Sequence, residues 1–172
     1  MTRLIEVLKW LTKILPRFIT MLPDEGGVLI RFGRYIKTLE EGGHCILIWP
    51  VIHTVESVTT TRQIVDVPTQ DVLTKDRIPV CMNVSVEYVI SDPYKAIYGV
   101  EDFDECLQEL TGDTSRQVLN GYSFDTCVDF MHVVQLEIFE KIEKKAEQYG
   151  VDVLEVRVPT FTKGHTIRLI QQ

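Results

Sequence analysis

The sequence predicts an α+β fold: an antiparallel, β-rich sheet, then helices, then a closing strand, all behind an amphipathic N-terminal helix. Three observations carry this. Ile78–Ile90 alternates apolar and polar side chains without a break. From Asp102 to Tyr149 the spacing becomes helical. Val151, Val153, Val156 and Val158 then return to strand character. A chain of 172 residues is one domain with an appendage, and the expected division is a helix at 1–22, a domain at 23–160 and a tail at 161–172.

The N-terminal segment comes first. On a helical wheel, Leu4, Val7, Leu8, Trp10, Leu11, Ile14, Leu15, Phe18, Ile19, Met21 and Leu22 share one half of the circle. Glu6, Lys9, Thr12, Lys13, Arg17 and Thr20 share the other, and Arg3 lies at the boundary, where its stem can snorkel. Charges recur every three or four residues. A span through the bilayer would bury them at about 2.5–3.5 kcal/mol each near its centre. A helix lying in the membrane surface avoids that cost, with Leu4, Val7, Leu8, Trp10, Leu11, Ile14, Leu15 and Phe18 as lipid contacts and Arg3, Lys9, Lys13 and Arg17 at the headgroups. The plainer reading is a helix packed on its own domain or on a neighbouring subunit. The segment lacks the uncharged core and small-residue cleavage site of a signal peptide.

Charge supports a membrane-surface role. Residues 1–22 carry four basic and one acidic side chain, net +3, whereas the other 150 carry 14 basic and 24 acidic, net −10. A basic end on an acidic body suits contact with anionic lipid and argues against nucleic acid as a partner. Cys45, Cys81, Cys106 and Cys127 form no CxxC pair. They read as buried thiols in a reducing compartment, which favours a cytoplasmic face.

In the body, Pro23–Gly27 is a turn and Val28–Phe32 a strand. Glu40–Gly43 turns again, and His44–Trp49 is a strand stopped by Pro50. Val51–Val58 and Thr61–Val67 continue a meander. Ile78, Val80, Met82, Val84, Val86, Tyr88 and Ile90 form the core face of the clearest strand, and its other face is wet. Asp102 with Glu105 resembles a capping box for a helix running towards Gly121. Ser123 caps a second helix from about Phe124 to Tyr149, whose Val133, Val134, Leu136, Ile138, Phe139 and Ile142 face the core. Gly150 ends it, and the closing strand stops at Pro159.

Several segments together resemble one family. Pro23–Arg34, Glu41–His44 followed by Trp49-Pro50, Val67–Asp76, Val86–Pro93, Thr114–Val118 and Tyr149–Val153 occur in the order found in the SPFH (band 7) family of stomatin, prohibitin, flotillin and the bacterial HflK and HflC proteins. The resemblance covers about residues 23–160. It implies a non-catalytic, membrane-attached scaffold that forms large rings or cages, with itself or with another SPFH protein, and organises lipid microdomains or restrains a membrane protease or channel. Two departures stand out. Residues 160–172 show no heptads of the coiled coil that most relatives use for assembly, and the N-terminal anchor is more charged than the family's hydrophobic hairpin.

Cys127, Asp129 and His132 do not share a helix face, so a nucleophile with an oriented base is not expected. No phosphate-binding loop or HExxH metal site occurs, and neither an enzymatic activity nor a cofactor is expected. Thr74, Lys75, Asp76 and Arg116 are the candidate contacts between subunits, with a simple turn and an exposed helix arginine as the plainer readings. Alternative functions are regulation or inhibition of a membrane protease, or a structural role in a viral or other large assembly.

Overall fold

The computed structural model describes residues 15–42 and 45–164. Residues 1–14, with Leu4, Val7, Leu8, Trp10, Leu11, Ile14, Arg3, Lys9 and Lys13, lie outside the described residues. The end of the expected N-terminal helix is not helical: Arg17–Thr20 is a strand, β1. Pro16 donates no backbone hydrogen bond and disfavours helix before it. Phe18, Ile19 and Thr20 are strand formers, and β4 (Cys45–Ile48) offers them an antiparallel partner that sets Phe18 opposite Leu47.

Next come β2 (Glu25–Arg31), β3 (Arg34–Leu39) and β5 (His53–Thr59), a three-stranded sheet in the order β3-β2-β5. Strand β3 was not expected, because Arg34–Leu39 is mostly exposed and has no apolar alternation. Met21, Leu29, Leu39 and Ile48 form a small core between this sheet and the β1–β4 pair. A Cβ at Gly27 would stand 2.7 Å from Met21 Cε and 3.0 Å from Glu56 O, so a larger residue there would have to displace the Met21 side chain.

The larger sheet is β6 (Gln63–Leu73), β7 (Pro79–Ile90) and β8 (Val151–Lys163), antiparallel with β7 in the centre. Val80, Met82, Val84, Val86, Tyr88 and Ile90 are buried as expected. The opposite face is drier than expected, with Ser85 buried and Cys81, Asn83 and Glu87 half-buried, because side chains of both neighbours lean over the central strand. Cys81 Sγ donates to Asp71 at 2.8 Å, and Arg157 bonds Glu87 at 2.8 Å.

Two prolines interrupt the sheet without ending it. Pro68 lies where the β6 register shifts between Val67 and Gln70. Pro159 was expected to stop β8, yet the strand continues to Lys163, because the register shifts between the partners Asn83 and Ser85 and the proline sits in that bulge. Phe161, Thr162 and Lys163, expected in the tail, therefore belong to the sheet.

Helices cover one face. They are α1 (Pro93–Tyr98), α2 (Phe103–Leu119), α3 (Phe124–Asp129) and α4 (Met131–Ala146). Asp102 accepts from Glu105 N at 3.1 Å and Ser123 from Thr126 N at 3.3 Å, so both predicted caps are formed. The single helix expected over 124–149 is broken at Phe130 (φ −125°, ψ 39°). Its two parts have different supports: α3 is tied to the β6–β7 turn, whereas α4 packs on β8 and α2. Val134, Ile138, Ile142 and Ala146, spaced by four, are the buried ridge of α4. Val133 and Leu136 were expected in the core but are exposed, because that ridge is only one side chain wide. Gly150 closes the helical region at φ +73°, and a Cβ there would stand 2.7 Å from Asp92 O.

The small sheet reaches this body through α1. The rings of Tyr35 and Tyr94 lie 4.6 Å apart, and Tyr98 Oη donates to Glu56 at 2.6 Å. All four cysteines are free. Cys127 is buried, but Cys45 is exposed and Cys81 and Cys106 are half-exposed, so the expectation of four buried thiols holds only for Cys127. No helix among the described residues is long and apolar enough to cross a membrane.

Candidate membrane-facing surface

One end of the small sheet concentrates large apolar side chains in water. Antiparallel pairing sets its composition. Arg17 pairs with Ile48, Arg31 with both Arg34 and His53, so the start of β1, the β2–β3 turn and the β4–β5 turn meet at the same end. Phe32 N donates to Ile52 O at 3.0 Å and joins two of these turns.

The exposed side chains are Phe32 (72%), Phe18 (71%), Val51 (66%), Leu15, Leu47 and Trp49. A cavity of about 300 Å³ lies among Pro16, Leu47, Ile48, Trp49 and His53. Single exposed apolar residues are ordinary, whereas a cluster of six at one end marks a contact surface.

Phe32 shows most clearly that local folding did not choose these residues. Phe32 and Gly33 are the two central residues of a tight hairpin, with φ +50° and +73°. This turn favours Asn-Gly, because left-handed backbone strains a residue with a Cβ by about 1–2 kcal/mol. A bulky aromatic there is strained in its backbone and unburied in its side chain.

The electrostatics agree. Residues 15–19, 31–37 and 45–55 contain Arg17, Arg31, Arg34 and Lys37 and no Asp or Glu, on a chain of net charge −7. The end is therefore an apolar tip with a basic collar. Residues 1–14 join it at Leu15.

Of the sequence-predicted lipid contacts, Leu15 and Phe18 fall on this tip, and Arg17 lies beside them. They belong to a loop and a strand, not a helix. Phe32, Leu47, Trp49 and Val51 were missed. Only the pairing of Arg31 with Arg34 makes Phe32-Gly33 a hairpin turn, so the sequence carried no separate signal for it.

The candidate subunit contacts serve the fold instead of meeting in one cluster. Thr74 is buried, and its Oγ1 bonds the backbone of Ile78 at 3.3 Å. Lys75 N donates to Tyr122 O at 2.9 Å, and Asp76 Oδ2 accepts from Phe124 N at 3.1 Å. This turn is thus a clasp on the start of α3. Arg116 lies elsewhere and donates to Gln70 Oε1 at 3.1 Å and Asp113 Oδ1 at 3.4 Å, tying α2 to β6. Cys127 is an unfavourable nucleophile: burial raises its thiol pKa, and the Asp76 carboxylate raises it further.

Comparison with known proteins agrees with this architecture. Residues 19–170 match the SPFH domain / Band 7 family. Human mitochondrial stomatin-like protein 2 is 29% identical over 146 residues, which cover 81% of this chain and 40% of that protein. A stomatin homolog of Pyrococcus horikoshii is 25% identical over 134 residues, covering 78% and 50%. An uncharacterized protein of Methanothermobacter thermautotrophicus is 29% identical over 136 residues, covering 79% and 42%. The chain thus spans about half the length of these relatives. Because the match begins in β1 and runs past β8, it takes in both three-stranded sheets and every helix: the chain belongs to the SPFH domain / Band 7 family.

Proposed function

We propose that this chain is a non-catalytic scaffold held at a membrane surface, where many copies assemble side by side and organise lipids or membrane-protein partners. The observation that carries this reading is the apolar tip with its basic collar. A bulky apolar side chain contributes about 1.5–3 kcal/mol when fully removed from water. Partial immersion of Phe18, Phe32, Leu47 and Trp49 therefore outweighs the roughly 1 kcal/mol from each collar cation near an anionic leaflet. Residues 1–14 enter at the same end, so their apolar half and the tip would share one bilayer. A modest single-copy affinity suffices, because assembly multiplies it by avidity. The exposed free thiol of Cys45 fits a reducing side of that membrane.

Flotation with vesicles containing phosphatidylserine tests the proposal. Phe18→Glu with Leu47→Glu changes two exposed side chains and is expected to reduce flotation while leaving the circular dichroism spectrum unchanged. Trp10→Glu with Leu11→Glu is expected to weaken binding more than Lys9→Ala with Lys13→Ala. A variant carrying all four glutamates that floats like the wild type overturns the membrane reading.

A further inference from the structure

The basic groups at the tip are ordered more closely than a diffuse collar requires. Strand pairing sets Arg31 between Arg34 on β3 and His53 on β5. Direct partners share a face of the sheet, with Cβ atoms about 4.5–5.5 Å apart. Three basic side chains therefore stand in one row at the end of the sheet. By strand alternation that row is on the face of Leu29 and Val55, which pack in the small core with Ile48. Arg17 pairs with Ile48 on the facing strands and adds a fourth basic group at the same end.

The fold does not neutralise this row. Arg62, Arg116 and Arg157 each meet a carboxylate. Among the described residues, Arg17, Arg31 and Arg34 form no ion pair. Like charges directly opposite one another destabilise a sheet, so the row gains stability only when an anion completes it. His53 is oriented for that purpose. Its Nδ1 accepts from Trp49 N at 3.3 Å, which puts the proton of the neutral ring on Nε2, a donor.

We propose that the row of Arg34, Arg31 and His53 binds a phosphomonoester on a lipid headgroup. Donor number selects the phosphomonoester. Each guanidinium can grip an oxyanion through two parallel N–H bonds. A phosphomonoester offers three terminal oxygens and a charge of about −1.5 to −2, more than the two oxygens and single charge of a phosphodiester. Position selects the lipid. Arg31 and Arg34 flank the Phe32-Gly33 turn, so with Phe32 among acyl chains they stand about 3.4 Å behind it, level with the headgroups. His53 is also a wall of the 300 Å³ cavity formed with Pro16, Leu47, Ile48 and Trp49, an apolar neighbour that a free anion would leave unused. The inference rests on the membrane-surface reading and gives it a headgroup.

Flotation of the full chain tests it, on phosphatidylcholine vesicles containing either phosphatidic acid or phosphatidylserine and adjusted to the same zeta potential. The wild type is expected to bind the phosphatidic acid vesicles at least about ten-fold more tightly, as one hydrogen-bonded charged contact implies. Arg31→Gln should abolish that preference, whereas Lys37→Gln, outside the row, should weaken both lipids alike and keep it. Equal binding of the wild type to both vesicles overturns the proposal and leaves the membrane reading standing. So does a preference that survives Arg31→Gln. Flotation on neither vesicle fails the membrane reading itself. Millimolar inorganic phosphate at constant ionic strength should not release the protein; release would mean that the free anion fills the row, and would overturn the lipid assignment. Arg31→Gln should keep the wild-type circular dichroism spectrum and a Tm at or above the wild-type value, because it removes a like-charged neighbour. A lower Tm would make the arginine a structural residue and overturn its assignment to a ligand.

Discussion

Phe32 and Gly150 are opposite uses of left-handed backbone. At Gly150 the sequence supplies the residue that the conformation requires. Gly150→Ala would meet Asp92 O at 2.7 Å with φ at +73°, and is expected to cost at least about 1–2 kcal/mol. Thermal unfolding should show a clear fall in Tm. Phe32 breaks the same rule. Phe32→Asn is expected to raise stability by up to about 1 kcal/mol while weakening flotation on anionic vesicles. Lost stability together with unchanged flotation would remove the tip from the membrane contact. Gly150 could be read from the sequence because helix ends have a simple glycine signal. Phe32 was visible only as the end of a strand, since the strain arises from pairing Arg31 with Arg34, a tertiary fact.

The same division holds for whole elements. Strand β7 and the helix starts at Asp102 and Ser123 follow from periodicity and cap chemistry, whereas the break at Phe130 does not. Nor does β1. Its apolar residues fit a helical face as well as a strand, and only the partner β4 decides between them. Strand β3 also escaped notice, since four of its six residues face water. The α1 helix shows how such marginal elements are held. Burial and the Glu56 hydrogen bond raise the pKa of Tyr98 from an ordinary 10.0 to about 12. A raised folded pKa means that this contribution is intact below pH 10 and is lost as pH rises through 12. Glu56→Gln and Tyr98→Phe should each flatten the fall in Tm between about pH 10 and 12. A wild-type Tm that does not respond to pH in that range would show that the hydroxyl–carboxylate contact contributes nothing.

At the scale of the molecule, charge and apolar surface are segregated, so salt separates their contributions. Raising ionic strength from 0.1 to 1 M shortens the screening length from about 10 to 3 Å. Vesicle binding is expected to weaken several-fold without disappearing, because the apolar tip remains. Complete release by salt would assign attachment to the basic collar alone. The α+β class was legible throughout, from strand and helix signals in sequence order. The tip was half legible: Leu15, Phe18 and Arg17 came from an assumed helix, whereas the turns joining them arise only after the strands pair.

The proline bulges of β6 and β8 would matter if many copies gathered on a membrane, as proposed. Crowding brings neighbouring sheet edges within constant reach of one another, the condition under which edge strands zip into fibres. Here both edges are broken beside the same short stretch of β7, near Asn83 and Val84, and Leu154 breaks β8 a second time. No run of free backbone on either edge is long enough to template an extended ladder. In the proposed assembly, neighbours would recognise one another through side chains, and dense packing would remain reversible.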